Sequence, residues 1–433
     1  MTRAPPRPAA TGRFFPTNTP VSPPGPLTPV DGLTCVEGPE GIRMTGIRNG
    51  VCRILAHACG HGVPFRRIPP PVSRRVLNRT LIARQFLAER SRRPAAQVVR
   101  HLVAMQAQEP NWPYVGLWSR IAGFGHAELT ELYTDKDVVR GPLLRGTQHL
   151  AAAEDYAWIR PHFQPAPGTE LRASYYAAET RGLDPAELAA TGAELLADGQ
   201  LARRELGRLL GERYPGRSGY VLAAAVQRML PIVHPTPNGV WGGWGNRPSV
   251  PMALAPVWTG RAMDPARGVR ELVERYLAAF GPASVADVQA WSGLKRLRAV
   301  IEAMPLRVLR DADGRDLYDL PDAELAAEDD PAPVRFLPAF DNAVLGHADR
   351  TRILPDEYRR RVLPGNSLVL PTFLVDGFIA GTWAVRPTGL RLTPFAPLSA
   401  ETAEAVAAEA ARLCTFTAPA DPTVRDVEIL THG

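Results

Sequence analysis

The chain has little cysteine, almost no lysine and no long apolar run. Its four cysteines, Cys35, Cys52, Cys59 and Cys414, are too few and too unevenly spaced for a disulfide framework. Cys52, Cys59 and His61 lie close together in "CRILAHACGH", but a structural zinc site needs a fourth ligand and a tighter C-x-x-C knuckle, so neither a metal nor another cofactor is expected. No apolar stretch reaches the roughly 18 residues that cross a bilayer, and no charged start is followed by an apolar segment and a cleavage site. These absences exclude a membrane partner and point to a cytoplasmic protein. At 433 residues the chain exceeds one ordinary core, so two to four packed units are expected.

The scarcity of lysine is informative in another way. Lys136 and Lys295 are the only lysines, so arginine supplies the rest of the 50 basic residues behind a net charge of +6 and a sequence pI of 9.3. With abundant Ala, Pro and Gly, this bias matches GC-rich codon usage. The charge suits a polyanionic partner only where it clusters. Residues 66 to 100 carry Arg66, Arg67, Arg74, Arg75, Arg79, Arg84, Arg90, Arg92, Arg93 and Arg100 against Glu89 alone, a local excess.

Residues 1–72 are rich in proline, glycine and small polar residues and lack helical or strand periodicity, which reads as a disordered tail. An upstream start would give the same composition, with Met44 an internal one. From residue 77 the pattern turns helical: "LNRTLIARQFLAERS", then "PAAQVVRHLVAMQ" with Pro94 near its first turn, then short helices near 113–121 and 126–133. "DVVRGPLLRGTQHL" follows as a hairpin leading to a helix from Ala153. Helices closed by a small hairpin outline a winged helix. The outline recurs in "ELAATGAELLADGQLARRELGRLLGERYPG", completed by two strands about an Asn238-Gly239 turn. It recurs again after residue 268, with breaks at Gly281-Pro282 and Gly293 and a hairpin at Asp313-Gly314. From about residue 333 the pattern is β-rich, with a hairpin at Asp376-Gly377 and a closing helix. The fold class is therefore α+β: a tail at 1–72, winged-helix units at 73–165, 166–255 and 256–332, and a β-rich domain at 333–433.

"MQAQEPNWPY" carries the feature that composition cannot explain. Val99, Leu102 and Val103 define a helical face whose next member is Gln106, and a buried amide without partners costs roughly 1 to 3 kcal/mol. Pro110 disfavours helix at Glu109, so the helix is expected to stop near residue 107 with Gln108 in the turn beyond. The two amides can then share a cavity near Asn111, Trp112 and Tyr114. The competing reading is that Gln106 ties the helix end to a backbone and Gln108 caps the turn.

Five segments in order, "LNRTLIARQ", "MQAQEPNWPYVGLWSRI", "LLRGTQHL", "FLPAFDNAVLGHADRTRIL" and "PTFLVDGFIAGTW", resemble the winged-helix DNA-binding family that contains the AlkZ-like DNA glycosylases, over about residues 76–420. The resemblance implies a bacterial, nucleoid-associated repair enzyme, acting as a monomer, with three tandem winged helices and a barrel-like domain around duplex DNA. It implies a catalytic glutamine–apolar–glutamine motif at Gln106, Ala107 and Gln108. It also implies hydrolysis of the N-glycosidic bond of alkylated, chiefly N7-substituted, purines, including bulky adducts and interstrand crosslinks.

Amides suit that chemistry for a physical reason. They have no useful pKa near neutrality, yet a carbonyl can accept a hydrogen bond from water and an NH2 can steady a neighbour. An N7-alkylated purine is cationic and leaves as a neutral base, so it needs no protonation. Arg145, Thr147 and His149 alternate in "LRGTQHL" and, on a strand, share one face, near the abasic sugar and its phosphates or on a solvated wing edge. Asp341 and Asp349 are the carboxylates able to activate water, against pairing with Arg350 or Arg352 or capping a turn. Trp241 and Trp244 are wedge candidates on the second wing, against packing on their own domain. The rival reading is a DNA-binding regulator without catalysis, although regulators usually read palindromes as dimers.

Overall fold

A computed structural model describes residues 34–38, 41–45, 71–164, 171, 173–242, 250–418 and 426–430. Within the stretch read as a tail, β1 (Thr34–Gly38) and β2 (Gly41–Thr45) form an antiparallel pair; Cys52, Cys59 and His61 lie outside the described residues. Residues 69–433 form a unit of their own.

That unit opens with α1 (Arg74–Arg84), whose first turn is capped by the Ser73 hydroxyl accepting from the Val76 N–H, one of the orphan donors of any helix start. Next come α2 (Ala95–His101), β3 (Met105–Gln106), α3 (Trp112–Arg120) and α4 (His126–Thr134). β4 (Val138–Pro142) and β5 (Gln148–Ala152) form the expected hairpin, and α5 (Ala153–Ile159) starts at the expected residue. The three strands pair antiparallel in the order β3-β5-β4.

The helix before the glutamines is shorter than its periodicity suggests. α2 ends at His101, and Val103 takes a left-handed backbone with φ 68°, which a β-branched residue rarely adopts. Gln106 consequently lies on a strand and not on a helical stripe. Its burial was read correctly for the wrong reason, and Pro110 is not what stops the helix.

α6 (Ser174–Thr180), α7 (Pro185–Leu195), β6 (Gln200–Ala202), α8 (Arg203–Arg213) and α9 (Gly219–Met229) follow. α7, α8 and α9 enclose their own core of Leu188, Leu206, Leu210, Leu222 and Val226. β7 (Ile232–Val233) does not turn at Asn238-Gly239 into a second strand; its partner is β8 (Pro251–Leu254), which also pairs with β6. Asn238 instead turns inward, its Oδ1 accepting from Arg140 Nη1 at 2.6 Å.

α10 (Ala255–Thr259) leads to α11 (Val269–Phe280), α12 (Val285–Ser292), α13 (Arg298–Glu302) and the hairpin β9 (Arg307–Arg310) with β10 (Asp316–Asp319). The breaks fall where the sequence placed them. Ser284 and Asp287 form a capping box at the start of α12, and Gly293 closes it at φ 85°, as helix-end chemistry requires.

In the last part, β11 (Arg335–Leu337) is followed by the short α14 (Asn342–Leu345) and α15 (Arg359–Val362) where strand was expected. β12 (Thr372–Val375), β13 (Phe378–Arg386) and β14 (Gly389–Pro394) continue the sheet, α16 (Ala400–Thr417) crosses over, and β15 (Asp426–Ile429) adds in parallel. The sheet runs open, β11-β12-β13-β14-β15; among the described residues no pairing of its edges closes a barrel. Leu102, Met105 and Tyr114 share a core with Phe336, Phe373 and Trp383 of this sheet and with Leu413 of α16. The elements carrying the glutamines are thereby braced by the C-terminal sheet.

Candidate active site

Gln106 sits at the end of β3, directly opposite His149 of β5, and is 8% exposed. Cross-strand partners project from the same face, so the amide and the imidazole are neighbours. The Ala107 N–H donates to the Gln148 carbonyl at 2.8 Å, carrying the ladder one residue further. Gln106 lines a narrow cleft, a cavity of about 10 Å³ on the scale of a single water, together with Gln85, Trp112, Arg120, Asp341 and Asn342. Gln108 is exposed and is not among the residues lining that cleft.

Arg140 staples the motif from behind. Its Nε donates to the Ala107 carbonyl at 2.8 Å and its Nη2 to the Gln108 carbonyl at 3.2 Å. Sequence reasoning missed this residue; the signal was a charge inside the all-buried strand "VVRGP", where an arginine persists only with partners.

The Gln106 side chain is held by Arg145, whose Nη2 donates to its Oε1 at 2.8 Å, while Nη1 donates to the Trp291 carbonyl. Arg145 lies in a 3-10 turn (Leu144–Gly146) at φ 55° and ψ 11°. The close approach of α12 permits this, because a Cβ on Gly293 would come within 3.1 Å of the Arg145 Cα. Burial, and then the Arg350 charge, lowers the guanidinium to about 10. No carboxylate pairs with it among the described residues.

His149 is fully buried, with Nδ1 against the Thr147 carbonyl at 2.9 Å and Nε2 without a partner among the described residues. Burial first, and then the Arg145 charge, pushes it down to about 3, so it is neutral at physiological pH, with Nδ1–H donating and Nε2 an acceptor. Thr147 donates its hydroxyl to the Leu144 carbonyl at 3.2 Å. The strand begins only at Gln148, so Arg145, Thr147 and His149 do not share one strand face as expected. Arg145 reaches the site from the turn instead.

The remaining candidates divide. Trp112 lines the cleft and meets Trp383 edge-on at 5.7 Å. Asn111 is buried and clasps the Gly242 backbone, donating to its carbonyl at 2.7 Å and accepting from its N–H at 3.2 Å. Tyr114 is fully buried, with its hydroxyl 3.0 Å from Thr130 Oγ1 and its ring 5.5 Å from Trp241. Trp241 packs against Tyr114 and His126 of the first unit and Phe416 of α16, where packing on its own unit was the expected alternative to a wedge; Trp244 lies outside the described residues.

Asp341 does reach the cleft, but it is committed. Arg120 Nη1 and Nη2 donate to its two oxygens at 2.9 and 2.8 Å, and it caps α14 by accepting from the Ala343 N–H. Asp349 pairs with Arg315 at 2.7 Å and accepts from Thr351. Both take the structural alternative, through arginines other than Arg350 or Arg352. Asn342, which sequence reasoning did not single out, donates to the Ala104 carbonyl at 2.8 Å and keeps a buried Oδ1 without a partner among the described residues.

The arginine excess at 66–100 is partly compensated by acids, while Arg74, Arg92 and Arg93 are exposed and Arg66 and Arg67 lie outside the described residues. Arg75 and Arg79 both pair with Asp376, Arg84 with Asp319, Arg90 with Glu409 and Arg100 with Glu154. Around Gln106 the balance differs: Arg228 packs over Gly146, Arg350 is close enough to depress Arg145, and neither has an ion pair among the described residues. No group of His, Cys, Asp or Glu among the described residues is arranged to hold a metal.

The Gln106 amide is thus buried on a small sheet, bonded to an arginine that has no ion pair among the described residues. The chain belongs to the AlkZ-like DNA glycosylase family, whose description matches residues 99–416; it is a DNA repair glycosylase, a hydrolase of N-glycosyl bonds. It is similar to the interstrand DNA cross-link repair glycosylase of Streptomyces sahachiroi, 26% identical over 356 residues, or 76% of this chain and 92% of that protein. The solved structure of Streptomyces sahachiroi DNA glycosylase AlkZ matches with a TM-score of 0.68 at 23% identity, over 83% of this chain and all of that one. No helix among the described residues is long and apolar enough to cross a membrane.

Proposed function

We propose that this chain hydrolyses the N-glycosidic bond of N7-alkylated purines in duplex DNA, interstrand crosslinks included, with Gln106 and Gln108 at the reacting centre. The observation that carries the reading is the Gln106 amide, buried at the end of β3, held by an arginine and lining a cleft. Gln108 follows in the exposed bend after β3, its backbone carbonyl accepting from Arg140 Nη2 at 3.2 Å. Trp112 forms part of the cleft wall, and Arg145, Thr147 and His149 shape the site from the turn and strand beside it.

Neither amide titrates, so catalysis rests on placing water and stabilising charge. The alkylated base carries its own positive charge and leaves neutral, which lets a modest apparatus suffice and spares ordinary bases. One well-placed donor of this kind is worth roughly 2.7 to 4 kcal/mol in the transition state. The crosslink part of the proposal follows the name of the Streptomyces sahachiroi relative.

In this reading residues 73–165, 166–255 and 256–332 are three winged helices and residues 333–433 a barrel-like brace, working as a monomer that clamps one lesion. The helix-and-small-sheet units β3-β5-β4, β6-β8-β7 and β10-β9 support it. Trp241 acts as a structural residue, joining the second unit to Tyr114 and His126 of the first and to Phe416 of α16.

The test incubates the purified full chain with N7-methylguanine duplex or a nitrogen-mustard crosslink and then cleaves abasic sites with alkali. Wild type is expected to give strand breaks, and the Gln106→Ala, Gln108→Ala double variant background only. Equal background cleavage by both proteins on both substrates would falsify the proposal.

A further inference from the structure

Several arginines in this unit face acids: Arg79 faces Asp376, Arg84 Asp319 and Arg120 Asp341. Arg160 instead bonds the Arg228 and Leu230 carbonyls with no ion pair among the described residues, and Arg145 likewise has none. Its backbone occupies the left-handed region, a conformation costing about 1 to 3 kcal/mol in a non-glycine residue. Its guanidinium is held against α12 without an acid, hydrogen-bonded to one carbonyl and one side-chain amide. What sets Arg145 apart from Arg160 is that one of its two bonds goes to the Gln106 side chain, so its placement fixes that amide.

The partner atom also has a definite identity. A guanidinium carries five N–H donors and no acceptor, so the Gln106 atom facing it must be the oxygen. The two-fold ambiguity of a glutamine amide is thereby removed: Oε1 faces Arg145, and Nε2, which has no hydrogen bond among the described residues, is the donor left over. Gln106 then has a donor to offer to whatever occupies the cleft. Accepting a hydrogen bond from the attacking water falls to the other amide, Gln108.

We propose that Arg145 is a positioning residue acting through Gln106, holding its carboxamide by the carbonyl so that the two glutamines divide into a donor and an acceptor. The proposal rests on the reading of Gln106 as catalytic, and its experiment separates the two ideas. In the 15N-glutamine-labelled full chain, the Gln106 side-chain resonances, assigned by their loss in Gln106→Ala, should have an order parameter near the rigid value of about 0.85 and fall below about 0.6 in Arg145→Met. A Gln106 amide equally rigid in both proteins overturns the proposal, whatever the activity.

Single-turnover cleavage of N7-methylguanine duplex supplies the coupling. Arg145→Met should slow wild type by about 100-fold, the scale of one lost transition-state donor, with DNA affinity changed less than about threefold. It should have no further effect in the Gln106→Ala background, as expected of residues acting as a unit. An equal slowing in both backgrounds, or a rate loss that follows affinity, overturns it. Where Arg145→Met fails to fold, Arg145→Lys serves: its ammonium keeps the charge but cannot span the Trp291 carbonyl and Gln106 together, so kcat falls with KM unchanged. Wild-type cleavage by Gln106→Ala would remove the catalytic reading of Gln106, while the amide measurement still decides whether Arg145 holds it.

Discussion

At the scale of single residues, the arrangement of Gln106 beside an acid-free arginine has a thermodynamic counterpart. Gln106→Glu supplies the carboxylate that Arg145 lacks among the described residues and turns a neutral acceptor into a charged one. Hydrogen bonds to charged groups exceed neutral ones by about 1 kcal/mol, so this variant is expected to unfold at higher urea than wild type. The same change replaces the Nε2 donor by an oxygen, so glycosylase activity should fall toward that of Gln106→Ala. A destabilised Gln106→Glu protein that retains activity would contradict both halves of this account. The alternation in "LRGTQHL" did not place His149, because its strand starts only at Gln148; its partnership with Gln106 depends on a strand pairing across 43 positions that no local pattern signals.

At the scale of elements, the cleft is held by a clasp between α3 and the start of α14. Arg120, near the end of α3, and Asp341, the cap of α14, are both almost fully buried and joined by two hydrogen bonds. Removing one partner of such a pair leaves a buried charge uncompensated, so Arg120→Met should cost about 3 to 5 kcal/mol of stability, measured by urea unfolding. Asp341 in this setting is a structural acid. A loss under about 1 kcal/mol would show that water reaches Asp341 and would reopen its candidacy as a base. Helices marked by their own end chemistry, such as α12 between Ser284 and Gly293, were legible in the sequence. β3 was not: it is two residues long, and its strand character comes from β5, while the apolar spacing before it equally fits a helix.

At the scale of the whole molecule, buried neutral histidines tie stability to pH. Burial, reinforced by Arg145 and Arg140 respectively, pushes His149 and His234 down to about 3, and His347 is lowered too, by burial first and then by Arg352. In the unfolded chain each titrates near 6.5. Between those values the unfolded state binds more protons, so stability is complete above about pH 6.5 and is lost as pH falls, by about 1.4 kcal/mol per pH unit for each fully responsive histidine. Asp349, held at about 2, adds to the loss only below its unfolded value near 4, leaving the interval from pH 6.5 to 4 to the histidines. Urea unfolding should show clearly lower stability at pH 5 than at pH 7; identical midpoints at constant slope would contradict neutral burial.

Taken alone, the sequence determined the helices with strong caps, the hairpins at Asp313-Gly314 and Asp376-Gly377, and the family. These depend on turn geometry, helix-end hydrogen bonds and side-chain chemistry, which act within a few residues. Only the tertiary structure decided which arginines are available to a polyanion. Arg75, Arg79, Arg84 and Arg90, in the most conspicuous cluster in the sequence, are paired with Asp376, Asp319 and Glu409 more than 200 positions away, whereas the scattered Arg145, Arg228 and Arg350 have no ion pairs among the described residues. It also set the orientation of the Gln106 amide. Charge compensation and hydrogen-bond direction depend on distances in space, and folding brings together residues that the chain keeps far apart.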